Sequence, residues 1–321
     1  MHNILSDFLL QNDQGYFCKY GGFYIDALKP VGLNIISHAH GDHASKGHGH
    51  IFATKETVAL MKARYGNIIA LEVSQIPLRK SFMVNGVKVT LYPAGHMLGS
   101  AQILMEYQGV RYLYTGDYKL TKDRTCEQFE FTNADVLITE TTFADPNVGH
   151  PDVKQEILKL NNKGFDILLG CYAMGKAQSI NSLINTHCPE LEVIVHPHIL
   201  TFHKIYNEFL TEKDQLQFTT YSQKLLKHSA SNRIFLLPPN IFNRSHYSPL
   251  QLKAFVSGWK HLHKNNDLAI YLSDHADWKD IILAIKQIQP QQVWTVHGDG
   301  RQLKEHLKGN MLVKTLDKEK M

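Results

Sequence analysis

The chain is sparing with cysteine: 321 residues carry four, Cys18, Cys126, Cys171 and Cys188, with no CxxC pair among them. That spacing argues against a disulfide framework and fits reduced thiols in a cytoplasm. No apolar run approaches the roughly 20 residues that span a bilayer, so a membrane partner is not expected. The opening stretch MHNILSDFLLQNDQG has no basic n-region and does not read as a secretory signal. Repeats, low-complexity tracts and long linkers are absent from the sequence. Net charge is also slight, at +4, which permits a polyanionic partner without demanding one. With 43% hydrophobic and 20% charged residues, the composition is that of one large globular domain or two ordinary ones.

Histidine is what the chain has in concentration. The stretch IISHAHGDHASKGHGH places five histidines and one aspartate between His38 and His50. Ile35 and Ile36 read as the end of a buried strand. His38, His40, Asp42 and His43 then form a polar tip with almost no spacer. Imidazoles rarely bury without a partner, and a cluster of this kind at a strand end has the donors that zinc accepts. His38 and His40 share a direction on an extended segment, whereas Asp42 and His43 fall where a helix would begin. One open metal site cannot use all four; two adjacent metals can, with Asp117 suited to bridge them and His96 to complete the first.

Three regions differ in character. From Tyr16 to about Thr142 short β-rich runs alternate with turns, and Asp26, His38, His96, Asp117 and Glu140 close several of them. EYQGVRYLYTGD reads as a hairpin bending at Gln108-Gly109, and KETVALMKARY as a helix over 55–65. Strand–helix alternation follows, with FDILLGCYA before GKAQSINSLINTH and LEVIVHP before ILTFHKIYNEFLTE, which implies a small parallel α/β unit. The first character then returns with LAIYLSDHADW, a helix over 279–289 and QVWTVHGDG. The expected division is 1–160, 161–266 and 267–321, the first and last forming one core.

Other histidines read as ordinary structural or solvated residues: His2, His187, His196, His198, His203, His228, His246, His261 and His263. His48 and His50 join them in an expected mobile loop. Asp274 and Asp277 read as solvated or capping residues. Gly175 and Lys176, between a strand and a helix, could bind phosphate, though without Walker spacing. Tyr172 and Phe143 could stack on bases, with core packing the first expectation.

SHAHGDH resembles the HxHxDH signature of the metallo-β-lactamase superfamily. Asp26 in FYID, His96 in PAGHMLGSA and Asp117 in YTGDYK match that superfamily's other motifs. The α/β insert beginning GCYAMGKAQSI resembles the β-CASP cassette of nucleic-acid-processing members. Glu140 in ITETTF, His275 in LSDHADW and His297 in VHGD fit three further motifs of that group. SGWKHLH, GDYK and TCEQFEF look like the bacterial ligase-associated DNA exonuclease family, also described as mRNA 3′-end processing factor-like exonucleases.

The resemblance implies an αββα sandwich with an inserted parallel α/β domain. It implies two zinc ions, with manganese as a substitute: His38, His40 and His96 on the first, Asp42, His43 and His297 on the second, Asp117 between them. Asp26 would orient a ligand histidine, and His275, supported by Glu140, would act at the scissile phosphate, with Asp42 also in the catalytic set. It further implies a cytoplasmic exonuclease on single-stranded DNA in repair, in functional partnership with a ligase or helicase. His297 keeps an RNA substrate open, since the Artemis-like DNA branch usually has valine there. A small-molecule hydrolase of the lactonase or glyoxalase type, or a non-catalytic nucleic-acid-binding subunit, are the readings from other classes.

Overall fold

The computed structural model describes residues 3–161, 164–222, 225, 232–245, 251–298 and 300–316. His2, His228 and His246 lie outside them. The chain divides into two compact units, Met1–Gly149 with His275–Met321, and His150–Asp274.

The first unit stacks two sheets. One runs in chain order through β1 (Leu9–Gln11), β2 (Tyr16–Cys18), β3 (Phe23–Ile25), β4 (Leu33–Ile35), β5 (His48–Ala53) and β6 (Ala70–Gln75). The other contains β7 (Ser81–Val84), β8 (Val87–Pro93), β9 (Ala101–Tyr107), β10 (Val110–Tyr114) and β11 (Val136–Glu140), extended by two late strands at Gln292–Val296 and Leu312–Thr315. Alternate residues of both sheets face one core, where Phe23, Ile25 and Ile35 meet Val89, Ile103, Tyr112 and Trp294. Phe8 stacks on Tyr112 with ring centroids 3.8 Å apart. The bend at Gln108-Gly109 is present, with Tyr107 paired to Val110.

Helices flank this sandwich. Helix α1 (Lys55–Tyr65) joins parallel β5 to β6, starting at Thr54, whose hydroxyl accepts from the Thr57 amide. On the other sheet, Ile281, Ala284, Ile285 and Ile288 of the helix at Trp278–Ile288 pack on Leu104, Leu113, Leu137 and Val293. Asp277 caps that helix by accepting from the amides of Lys279 and Asp280. The layering is the αββα arrangement expected from the sequence.

His48 and His50 are not in a loop but in β5. His48 is fully buried, and its ring meets the Val31 amide and Ser45 at 3.2 and 3.0 Å.

The second unit is a parallel sheet built from β12 (Asp166–Gly170), β13 (Glu192–Val195), β14 (Thr219–Thr220), β15 (Arg233–Leu237), β16 (Gln251–Val256) and β17 (Leu268–Ile270), in the spatial order β14-β13-β15-β12-β16-β17. Helices α2 (Val153–Leu158), α3 (Lys176–His187) and α4 (Pro197–Phe209) belong to it. The unit therefore begins before 161 and ends after 266. Long-range bonding sets those limits: buried Glu156 of α2 accepts from the Tyr271 amide at 2.8 Å.

Candidate metal centre

The side chains of interest sit just beyond the C-terminal ends of strands. Asp26 follows β3, the His38–His43 segment follows β4, His96 follows β8, Asp117 follows β10 and Glu140 ends β11, while His297 follows the strand at Gln292–Val296. The two sheets thus deliver polar groups to one rim. Glycine makes two of the turns: a Cβ on Gly116 would lie 2.9 Å from that of Ser37, and one on Gly95 would lie 2.5 Å from the Lys119 carbonyl. The segment after β4 is a turn and not a helix start, with the Ala44 amide bonded to the His40 carbonyl at 2.8 Å.

Two groups of metal-binding character share Asp117. One contains His38, His40, His96 and Asp117; the other contains His43, Asp117 and His297, with candidate ligand atoms in each group within 4.8 Å of one another. Asp117 Oδ2 lies 3.6 Å from His38 Nε2, 3.3 Å from His43 Nε2 and 3.9 Å from His96 Nε2. The His43 and His297 rings stack 4.8 Å apart. His297 and Asp26 both hold a left-handed backbone, with φ of 53° and 49°.

Hydrogen bonds fix which nitrogen of each buried histidine is bare. The Ser37 hydroxyl donates to Asp26 Oδ2 at 2.6 Å, so it accepts from His38 Nδ1 at 3.0 Å. His43 Nδ1 donates to the same Asp26 oxygen at 2.9 Å, and Tyr114 donates there at 3.0 Å. The Nε2 atoms of His38 and His43 are then left facing Asp117, and neither makes a hydrogen bond. Buried polar atoms without partners are rare, and a pair of them converging on one carboxylate is the arrangement a cation completes.

The electrostatics agree. Burial, then the neighbouring His43 and His96, push the His38 pKa well below the usual imidazole value. Burial also opposes charge on His43, but Asp117 and Asp26 lift its pKa well above that value. Asp117 is buried too, yet His43 and His275 hold its carboxyl well below the usual range. A site that keeps a buried carboxylate ionised and favours positive charge beside it is suited to a metal ion.

A third group adjoins these. His275 Nδ1 lies 2.9 Å from Glu140 Oε2 and 3.8 Å from Asp117 Oδ2. Glu140 is fully buried and is itself held by the Tyr118 amide at 3.0 Å and the Thr142 hydroxyl at 2.6 Å. It ends β11, as its place at the close of a β-rich run predicts.

Not every expected site residue joins this cluster. Asp42 is exposed and belongs to neither ligand group; it lines an open pocket of about 770 Å³ beside Asp26, Tyr16 and His297. Lys176 is buried, its ammonium 2.9 Å from Asp274 and 3.1 Å from the Leu272 carbonyl, so its charge is already compensated. Asp274 is correspondingly paired rather than solvated. The Gly175 amide is taken by Gln178 Oε1 at 2.7 Å. The phosphate contact read at Gly175-Lys176 therefore has no exposed cation and no open amide at Gly175. Phe143 is buried, as expected, but Tyr172 is 53% exposed.

Sequence reasoning missed the supports. Ser37 and Tyr114 were unremarked, although Ser37 directly precedes the histidine cluster. Arg64 and Tyr65, at the end of α1, donate to the carbonyls of Ala39 and Ala44 at 3.2 and 2.8 Å and so bracket the His40–His43 turn. No local pattern announces such contacts.

Comparison with known proteins is consistent with this geometry. Residues 16–163 match the family model of the beta-lactamase superfamily domain, and residues 269–310 match that of the Zn-dependent metallo-hydrolase RNA specificity domain. The chain is 30% identical over 302 residues to a probable DNA ligase of Opitutus terrae, covering 88% of this chain and 28% of that protein. It is 26% identical over 234 residues to endoribonuclease ysh-1 of Neurospora crassa, covering 60% and 27%. Against cleavage and polyadenylation specificity factor subunit 3-I of Arabidopsis thaliana the identity is 25% over 280 residues, covering 74% and 39%. The chain thus spans well under half the length of these relatives. A crystal structure of a protein of unknown function from Enterococcus faecalis V583 shares the fold, with a TM-score of 0.58 at 15% identity over 89% of this chain and 79% of that one. The two matched domains, joined through the inserted parallel α/β unit, place the chain in the β-CASP branch of the metallo-β-lactamase superfamily.

Proposed function

We propose that the protein is a two-metal phosphodiesterase that removes nucleotides from an end of single-stranded DNA. The observation that carries this reading is the pair of unpartnered, buried Nε2 atoms on His38 and His43, which converge on the Asp117 carboxylate. His38, His40 and His96 would hold one ion and His43 and His297 the other, with Asp117 between them; Asp42 is a ligand only by resemblance. Two such ions, zinc by the donor set and manganese as a substitute, would activate a water for attack at phosphorus and offset the charge that develops there.

The chain's own groups supply the rest. Asp26 keeps a proton on His43 Nδ1, which leaves Nε2 as the coordinating atom. Glu140 holds the Nδ1 proton of His275 and stabilises the ring when it is protonated at both nitrogens; in that imidazolium form Nε2–H can give its proton to the leaving oxygen, returning His275 to the neutral ring. Asp117, ionised at neutral pH, accepts cations without first losing a proton.

DNA is favoured by the likeness to a protein named as a probable DNA ligase, and a working partnership with a ligase or helicase belongs to this reading. So does a cytoplasmic setting, which the wide spacing of the four cysteines supports. Among the described residues no helix is long and apolar enough to cross a membrane. RNA processing is the second reading. His297 favours it, as do the two relatives named as an endoribonuclease and a cleavage and polyadenylation factor subunit.

The test is digestion of end-labelled linear strands and covalently closed circles of one sequence, as DNA and as RNA, by metal-reconstituted protein. Linear DNA should be shortened progressively while circles persist. Rapid cutting of circles would replace the exonuclease with an endonuclease, and a large preference for RNA would replace the substrate.

A further inference from the structure

The sheet of the second unit has a topological switch point. From β12 the chain leaves through α3 toward β13 on one side, and from β15 it returns to β16 on the other side of β12. From β16 it runs on, away from β12, to β17. The connections leaving β12 and β16 therefore diverge at the carboxyl ends of these two strands. In open parallel sheets that is where ligands bind.

Two aromatic side chains stand at this edge. Gly170 of β12 pairs with Phe255 of β16, and Tyr172 and Trp259 follow shortly after these partners. They are 53% and 45% exposed, although large aromatics seldom leave so much surface in water. Among the described residues the only other aromatic exposed to that degree is Phe131. Tyr172 rests edge-on against Phe255, with centroids 6.4 Å apart, and Phe255 packs on Phe242 at 5.5 Å. Gly170 makes room for that support, since a Cβ there would lie 2.5 Å from the Phe255 ring. Trp259 is fixed at its backbone by a 3.1 Å bond from its amide to the Ser257 hydroxyl. Exposed Lys260 and His261 follow it, the His261 ring 5.9 Å from that of Trp259.

The polar route to a ligand is closed here, because the Gly175 amide and the Lys176 ammonium are already bonded within the unit. Flat apolar faces beside a cation remain. Such a surface suits unpaired nucleobases, which have exposed π-faces and carry a phosphate between each pair. Bases in a duplex are already stacked and offer no such face.

We infer that Tyr172 and Trp259 form a stacking platform for unpaired bases of a single nucleic-acid strand, with Lys260 beside the backbone. The inference rests on the proposed nucleic-acid substrate and adds the subsite that selects single strands. It is tested by equilibrium binding of fluorescent oligo(dT) and of an abasic strand of equal length, in a His275→Ala background so that the strand is not consumed. Tyr172→Ala and Trp259→Ala should each weaken oligo(dT) binding by about 5- to 100-fold, and Tyr172→Phe should restore it. All proteins should bind the abasic strand equally weakly. Oligo(dT) should quench the intrinsic tryptophan fluorescence, and Trp259→Phe should remove most of that quenching. Base-dependent binding without cleavage by the wild type would overturn the nuclease reading and leave the platform standing. Normal cleavage by the wild type, with alanine variants that bind oligo(dT) as tightly as their parent, would overturn the platform alone.

Discussion

The Nδ1 atom of His275 lies 2.9 Å from Oε2 of Glu140, and nothing of that carboxylate is exposed. Both Glu140 oxygens are engaged: the Tyr118 amide takes one and the Thr142 hydroxyl shares the other. The carboxylate cannot rotate without breaking three bonds. It therefore sets the plane of the half-buried His275 imidazole.

His275→Ala should lower the single-turnover cleavage rate by about 10²- to 10⁴-fold, the usual range for a positioned general acid. Metal content should stay at the wild-type level, because His275 already has Glu140 as its partner. Glu140→Gln should reduce the rate less, while leaving substrate affinity unchanged. Elemental analysis beside the kinetics decides this, and loss of metal from the His275 variant would make it a ligand.

The candidate ligand cluster stands out in the sequence because its chemistry is local. His38, His40 and His43 lie within six residues, and His96, Asp117 and Glu140 each end a short apolar run. Asp26 stands out in the sequence only as the end of such a run; its place beside a ligand histidine comes from the resemblance. What stayed hidden depends on partners distant in sequence. Lys176 looks like a solvated cation until Asp274 is seen against it. The limits of the second unit follow from the bond between Glu156 and Tyr271, which leaves no trace in composition. Tyr172 and Phe143 look alike as aromatics after strands, and only packing separates the exposed one from the buried one.

Asp117 is common to both ligand groups, so its loss should cost both ions. Asp117→Ala should bind less than one zinc after reconstitution where the wild type binds two. A second readout is thermal unfolding: a ligand that binds only the folded state raises Tm, and that rise should largely disappear in the variant. Arg64→Ala, which frees the Ala39 carbonyl, should weaken zinc affinity without abolishing it. An undiminished zinc-dependent rise in Asp117→Ala would remove that residue from the metal site.

His203 gives the second unit a pH dependence of its own. Its ring is fully buried on α4, accepting from Gln178 Nε2 at 2.9 Å and donating to Asn181 Oδ1 at 3.1 Å. That pairing requires the neutral form, and burial lowers the pKa from 6.5 to about 3. The unfolded chain binds this proton near pH 6.5 and the folded chain does not until about pH 3, so stability falls as pH drops through that window. The slope from this one residue is roughly 1.4 kcal/mol per pH unit. His203→Phe should be less stable at pH 7 by about 1–3 kcal/mol, because Asn181 loses its donor. Urea unfolding at pH 7, 6 and 5 should show the gap to wild type narrowing as pH falls. A constant gap would mean that His203 carries its proton in the folded state.

Arg233 and Asp166 form a buried ion pair between β15 and β12, at the end of the sheet opposite the aromatic platform. The guanidinium donates through Nε to Asp166 Oδ1 at 3.1 Å and through a second nitrogen to Oδ2, while a third donor reaches the Leu225 carbonyl at 2.8 Å. Because both charges are desolvated, the pair is worth little relative to apolar residues of the same size, but either member alone is costly to bury. Asp166→Ala should therefore destabilise by about 3–5 kcal/mol, leaving Arg233 uncompensated. The double change Asp166→Leu with Arg233→Met should recover most of that loss, since no buried charge remains. Chemical denaturation of Asp166→Leu, Arg233→Met and the double variant completes the cycle. Additive losses would show that the two residues do not act as a pair, whereas a double variant close to wild type would show that the pair sets which strands meet more than how firmly they hold.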